Sequence, residues 1–74
     1  MNQEYFYRKH VIKVRFTDAE PLGWYWEVFK EGNLLADNSK SQPDYPLKAA
    51  LTFAKRHIDD LINSESFEDE MRVF

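Results

Sequence analysis

The chain has 74 residues, 16% of them aromatic, with no cysteine and a formal net charge of −3. That fits one small domain and excludes disulfide staples and thiolate metal sites; at this length roughly 60% of the unfolded surface is buried, so the core must draw on large rings at few positions. The opening M-N-Q-E-Y-F-Y-R-K-H lacks the apolar run of a signal peptide and no segment approaches the ~20 apolar residues of a membrane span, so a cytoplasmic protein with no membrane partner is expected.

The first strand is expected over Lys9–Thr17, with a start as early as Tyr5. Ile12, Val14 and Phe16 alternate there with Val11, Lys13 and Arg15, a period of two with one apolar face. Pro21 and Gly23 then favour a turn. The second strand, Trp24–Lys30, sits in the stretch G-W-Y-W-E-V-F. Alternation puts Trp24, Trp26 and Val28 on one face and Tyr25, Glu27 and Phe29 on the other. Large rings thus fall on both faces of one strand. Glu31-Gly32-Asn33 makes a tight connection to a third strand, Leu34–Ser39, whose polar end suits a sheet edge. Lys40–Tyr45 reads as a loop.

Pro46 suits a first helical position. Leu47, Ala50, Leu51, Ala54, Ile58, Leu61 and Ile62 follow the helical period, so a helix is expected from Pro46 to Asn63 with one apolar stripe. Lys55–Asp59 and Arg56–Asp60 have the spacing of helical ion pairs. The fold class that follows is α+β: three antiparallel strands packed on one long C-terminal helix. Residues 1–64 form this single βββα domain, and residues 65–74 an acidic C-terminal tail. Ser66 is placed to cap a helical turn there, with Phe67, Met71 and Phe74 on one side of it.

Charge is unevenly spread. Glu65, Glu68, Asp69 and Glu70 against Arg72 give the tail the whole −3, while Arg8, Lys9, Lys13 and Arg15 make the first 17 residues basic. Such a dipolar surface can steer a charged partner.

Catalytic chemistry finds little support. His10 and His57 are the only histidines, and no cofactor or metal site is expected from them with carboxylates alone. Asp59 and Asp60 are adjacent, so on a helix they do not face each other. Asp37-Asn38-Ser39 reads as a strand end. Gly23 and Gly32 are too far apart for a phosphate-cradling loop. An enzyme is not expected.

The order strand-strand-strand-helix resembles the arm-binding N-terminal domain of tyrosine recombinases and the plant ethylene-response-factor domain. W-Y-W-E-V-F-K-E-G-N-L-L-A stands for the central hairpin and P-L-K-A-A-L-T-F-A-K for the helix start. The likeness is one of layout over about residues 11–62. It implies three strands entering a DNA major groove with the helix behind them. Strands followed by an alanine-rich helix are also similar to HicB-type antitoxins, which wrap a partner toxin. A small, aromatic, acidic, cysteine-free chain resembles in style the accessory proteins of phages and plasmids that inhibit a host enzyme by binding it.

The first functional expectation is therefore a non-catalytic protein-interaction module of mobile-element type. One helix covers one sheet face, so the other keeps exposed rings. Trp24 or Trp26, with Tyr25 and Phe29, are the candidate anchors, according to which set points outward. If the partner binds nucleic acid, Glu65, Glu68, Asp69 and Glu70 are a candidate mimic of it. The second is a nucleic-acid module using the same face with Arg8, Lys9, Lys13 and Arg15, because rings interleaved with cations stack bases and neutralise phosphates. The third is a self-associating subunit, most simply a homodimer.

Overall fold

A computed structural model describes the backbone of residues 2–73 and the side chains of residues 2–64. The elements are β1 (Asn2–Tyr7), β2 (His10–Thr17), β3 (Gly23–Lys30), β4 (Asn33–Asp37) and α1 (Leu47–Val73). The strands form one antiparallel meander in the order β1-β2-β3-β4. The α+β class and the C-terminal helix are as expected, but the sheet has four strands, not three.

The extra strand is β1, hidden by its turn. Arg8 and Lys9 both adopt positive φ, 48° and 68°, the backbone of a two-residue hairpin loop that normally selects Asn and Gly. An Arg-Lys pair carries no such signal, so the run read as one strand with a frayed start. β1 itself alternates regularly. Gln3, Tyr5 and Tyr7 are half-buried, and Asn2, Glu4 and Phe6 are exposed.

The core lies between the sheet and α1. Ile12, Val14, Trp26, Val28, Ala50, Ala54 and Ile58 are buried, with Tyr5, Tyr7, Trp24, Leu47, Leu51 and Ile62 packed around them. This settles the second strand: Trp24, Trp26 and Val28 face the helix. Phe16 is half-buried and stacks at a tilt on Trp24, ring centres 5.1 Å apart.

Two ties fix where α1 lies. At its start, Asp44 bridges Trp24 through paired backbone hydrogen bonds of 2.7 and 2.9 Å. That approach requires Gly23, where a Cβ would come within 2.9 Å of the Asp44 carbonyl and of Pro43. The Pro46 carbonyl accepts from the Ala49 and Ala50 amides, so Pro46 stands just before the helix rather than as its first residue. At the other tie, Tyr7 Oη donates to Asp59 Oδ1 (2.9 Å) and Arg8 Nη1 pairs with the same oxygen (2.8 Å). The expected helical pairs do not form. Asp59 is taken by β1 and its turn, Lys55 lies over the Tyr7 ring at 5.4 Å, and the ion pairs among the described residues are Arg8–Asp59 and Lys13–Glu4. Long-range partners of fixed geometry have displaced the local ones.

The helix does not end near Asn63 but continues through the acidic segment to Val73. At 1.5 Å per residue it is about 40 Å long, whereas an eight-residue strand runs about 26 Å. Its start is tied to the Trp24 end of the sheet, and the last of its described side chains packed on the core is Ile62. The acidic segment continues α1 rather than forming a separate turn capped by Ser66, and the shared face expected of Phe67, Met71 and Phe74 lies outside the described side chains. Among the described residues, no helix is long and apolar enough to cross a membrane.

Candidate partner-binding face

The face away from α1 is organised in cross-strand rows. Phe6 stands opposite Val11, Val11 opposite Phe29, and Phe29 opposite Leu34, so one apolar row crosses all four strands. A bulge beyond Val28 makes the last step. Val28 pairs with Ala36 and Phe29 with Leu34, leaving Leu35 as the extra residue. Without that insertion, Leu34 would not share a face with Phe29. Phe6 is 80% exposed, Leu34 50% and Leu35 45%. Val11 and Phe29 are half-buried.

The next row is charged: Glu4, Lys13, Glu27 and Asp37. Lys13 Nζ lies 3.8 Å from Glu4 Oε1 and 4.9 Å from the Phe29 ring centre. The Asp37 carboxyl is held below the usual carboxylate range by hydrogen bonds from Ser39, first from its hydroxyl and then from its amide. A third row sets Asn2 opposite Arg15 and Arg15 opposite Tyr25, with the guanidinium 5.4 Å from the Tyr25 ring centre. The face therefore carries three carboxylates against two cations, and both cations rest on rings of their own chain.

The candidate anchors separate cleanly. Tyr25 and Phe29 lie on this open face. Trp26 is buried in the core and Trp24 half-buried beside it. Of the basic candidates, Lys13 and Arg15 are on the open face and Lys9 is exposed in the β1–β2 turn. Arg8 is occupied by Asp59, which keeps the guanidinium more basic than usual and the Asp59 carboxyl below its ordinary range. The side chains of Glu65, Glu68, Asp69 and Glu70 lie outside the described set. Phe6, Val11, Leu34 and Leu35 were not singled out by sequence reasoning. The alternation N-Q-E-Y-F-Y and the partner of Phe29 across the hairpin were the available signals.

A second concavity, of about 280 Å³, lies between the β4–α1 loop and the helix, lined by Trp26, Asn38, Ser41, Asp44, His57 and Asp60 among others. Its floor is a closed network. Asn38 Oδ1 accepts from the Trp26 amide (2.7 Å), while Asn38 Nδ2 donates to the Trp24 carbonyl and to Asp44 Oδ2 (3.3 Å each). Trp26 Nε1 donates to the same Asp44 oxygen at 3.0 Å. Asn38 is thus a buried side chain that continues the β4 pairing after the strand has ended, and the network latches the loop. Among the described residues, no three His, Asp or Glu side chains come together as metal ligands would.

Comparison of the chain with protein-family models, with curated proteins and with solved structures finds no match.

Proposed function

We propose that this chain is a non-catalytic interaction module that seats a protein partner on its helix-free sheet face. The observation that supports this is the uninterrupted row Phe6–Val11–Phe29–Leu34, with Leu35 beside it. Contiguous apolar surface is uncommon on monomers and marks contact sites, and rings at the centre of such a surface dominate binding energy. Phe6 and Phe29 are the anchors, with Tyr25 further along the face. The excess of carboxylates in the adjoining row favours a partner with a basic group beside its apolar strip. It also favours protein over nucleic acid, whose phosphates the three carboxylates would repel.

The test replaces Phe6 with a photo-crosslinking benzoylphenylalanine and irradiates the full chain in an extract of its source cell. A discrete adduct that disappears in Phe29→Ser and Leu34→Ser backgrounds is expected. An adduct indifferent to both substitutions, or none beyond that seen from a probe at Ser39, overturns the reading.

A further inference from the structure

We propose that the partner of the open sheet face is a second copy of this chain, which seats the Phe53 side of its α1 there, head to tail. This rests on the open face being a binding site, as proposed above, and adds its occupant. Three observations carry it. First, α1 holds an apolar hollow rimmed by cations. Pro46, Lys48, Ala49, Thr52, Phe53 and Arg56 line a concavity of about 400 Å³. None of them is a carboxylate, although the chain as a whole carries −3. Lys48 and Arg56 are exposed, and neither has an ion-pair partner among the described residues. Phe53 is 45% exposed. It and Arg56 also border the concavity over Asn38, so they stand between two hollows.

Second, the open face offers the opposite charge beside a protruding ring. Its charged row holds Glu4, Glu27 and Asp37 against Lys13. Phe6, in the adjoining apolar row, is the most exposed large apolar side chain among the described residues, at 80%. The hollow beside Phe53 has room for such a ring.

Third, the two patterns match in order and spacing. On α1, Lys48, Thr52 and Arg56 follow one another at four-residue steps and form one line, and Ala49 and Phe53 form the neighbouring line. Lys48 and Arg56 are about 12 Å apart along the axis. Glu4 and Glu27 stand two strands apart on either side of Lys13, which is about 10 Å, and the long basic side chains span the difference. Laid together, the two cations meet two carboxylates, Lys13 faces the uncharged Thr52, and Ala49 with Phe53 lies along the Phe6–Val11–Phe29 row. The contact joins two different patches, so the association either closes into a ring or propagates. Its exposed charges make it sensitive to salt.

Sedimentation equilibrium of the purified full chain tests this. At low salt the mean mass should climb with concentration above 8.9 kDa, and association should weaken about tenfold or more at high salt. Lys48→Glu with Arg56→Glu removes the helix patch and keeps the sheet face. Phe6→Ser with Leu34→Ser does the reverse. Each variant alone should sediment as a monomer. Mixed in equal amounts they should form a species of twice 8.9 kDa and stop there, because one intact face meets one intact helix patch and nothing remains to continue. Urea midpoints check that both variants fold; if either does not, Phe53→Ser replaces the first and Glu4→Lys with Glu27→Lys the second. A monomeric wild-type chain overturns the proposal. So does a mixture that stays monomeric, or either variant associating alone as strongly as wild type, the mark of a symmetric interface. The Phe6 probe separates this from the reading beneath it. A monomeric purified chain whose probe still captures a different protein, dependent on Phe29 and Leu34, overturns the self-association and leaves the open face standing as a partner site.

Discussion

Asn38→Ala should destabilise the domain far more than its place after a strand end implies. Asn38 is 7% exposed. Its removal orphans the Trp26 amide, which donates to Asn38 Oδ1 at 2.7 Å and lies on the buried strand β3. An unsatisfied buried donor costs about 1–3 kcal/mol. The bonds from Nδ2 matter less. The Trp24 carbonyl still accepts from the Asp44 amide, and Asp44 Oδ2 still accepts from Trp26 Nε1, so their loss adds at the low end of about 0.5–1.5 kcal/mol each. Water entering from the adjoining concavity offsets part of this, leaving a loss of about 2 kcal/mol. A domain this small holds about 4–11 kcal/mol in total, so the melting temperature should fall by about 8–16 °C. Urea unfolding followed by tryptophan fluorescence is well suited, because both tryptophans border the network. Ser39→Ala, which removes only an exposed bond to Asp37, should stay within about 0.5 kcal/mol of wild type. If Asn38→Ala also stays within that range, the loop is not latched by this side chain and the account of the concavity fails.

Phe6→Ala should leave urea stability within about 0.5 kcal/mol, because the ring is 80% exposed. It should nevertheless weaken partner binding by about 2 kcal/mol or more, near thirtyfold, if Phe6 is an anchor; titration calorimetry with the crosslinked partner reads this directly. Asp59→Asn should flatten the acid limb of the stability profile. The Asp59 carboxyl is held low in the folded chain, first by the Arg8 hydrogen bond and then by that of Tyr7. Its stabilisation is therefore complete above the unfolded carboxylate pKa and is lost as pH falls through the lower folded value. Urea midpoints measured across the acid range should show wild type falling more steeply than the variant, and parallel curves would remove Asp59 from the account. Lys9→Gly should stabilise by about 0.5 kcal/mol: the left-handed conformation at φ 68° costs an L-residue about 1–2 kcal/mol, of which glycine's greater unfolded-state freedom returns part. A destabilised variant would mean that the Lys9 side chain holds the turn.

How far the sequence could be read follows from the range of each interaction. The strands β2 and β3, their turn and the start of α1 were legible because period-two and 3.6-residue patterns are local. The strand β1 was not, because a turn in two positive-φ residues without Asn or Gly breaks no visible pattern. The inward register of Trp24 and Trp26 was undetermined, since both faces of G-W-Y-W-E-V-F are aromatic and only the packing of Ala50, Ala54 and Ile58 chooses between them. The same choice brings Tyr25 and Phe29 to the open face. Leu34 joins them only through the bulge after Val28, which nothing local announces. Asn38 looked like a strand end and is one, yet its burial depends on Trp24, Trp26 and Asp44, residues distant in sequence. The ion pairs expected along α1 failed for the same reason: Asp59 meets Tyr7 and Arg8 only once the sheet has formed.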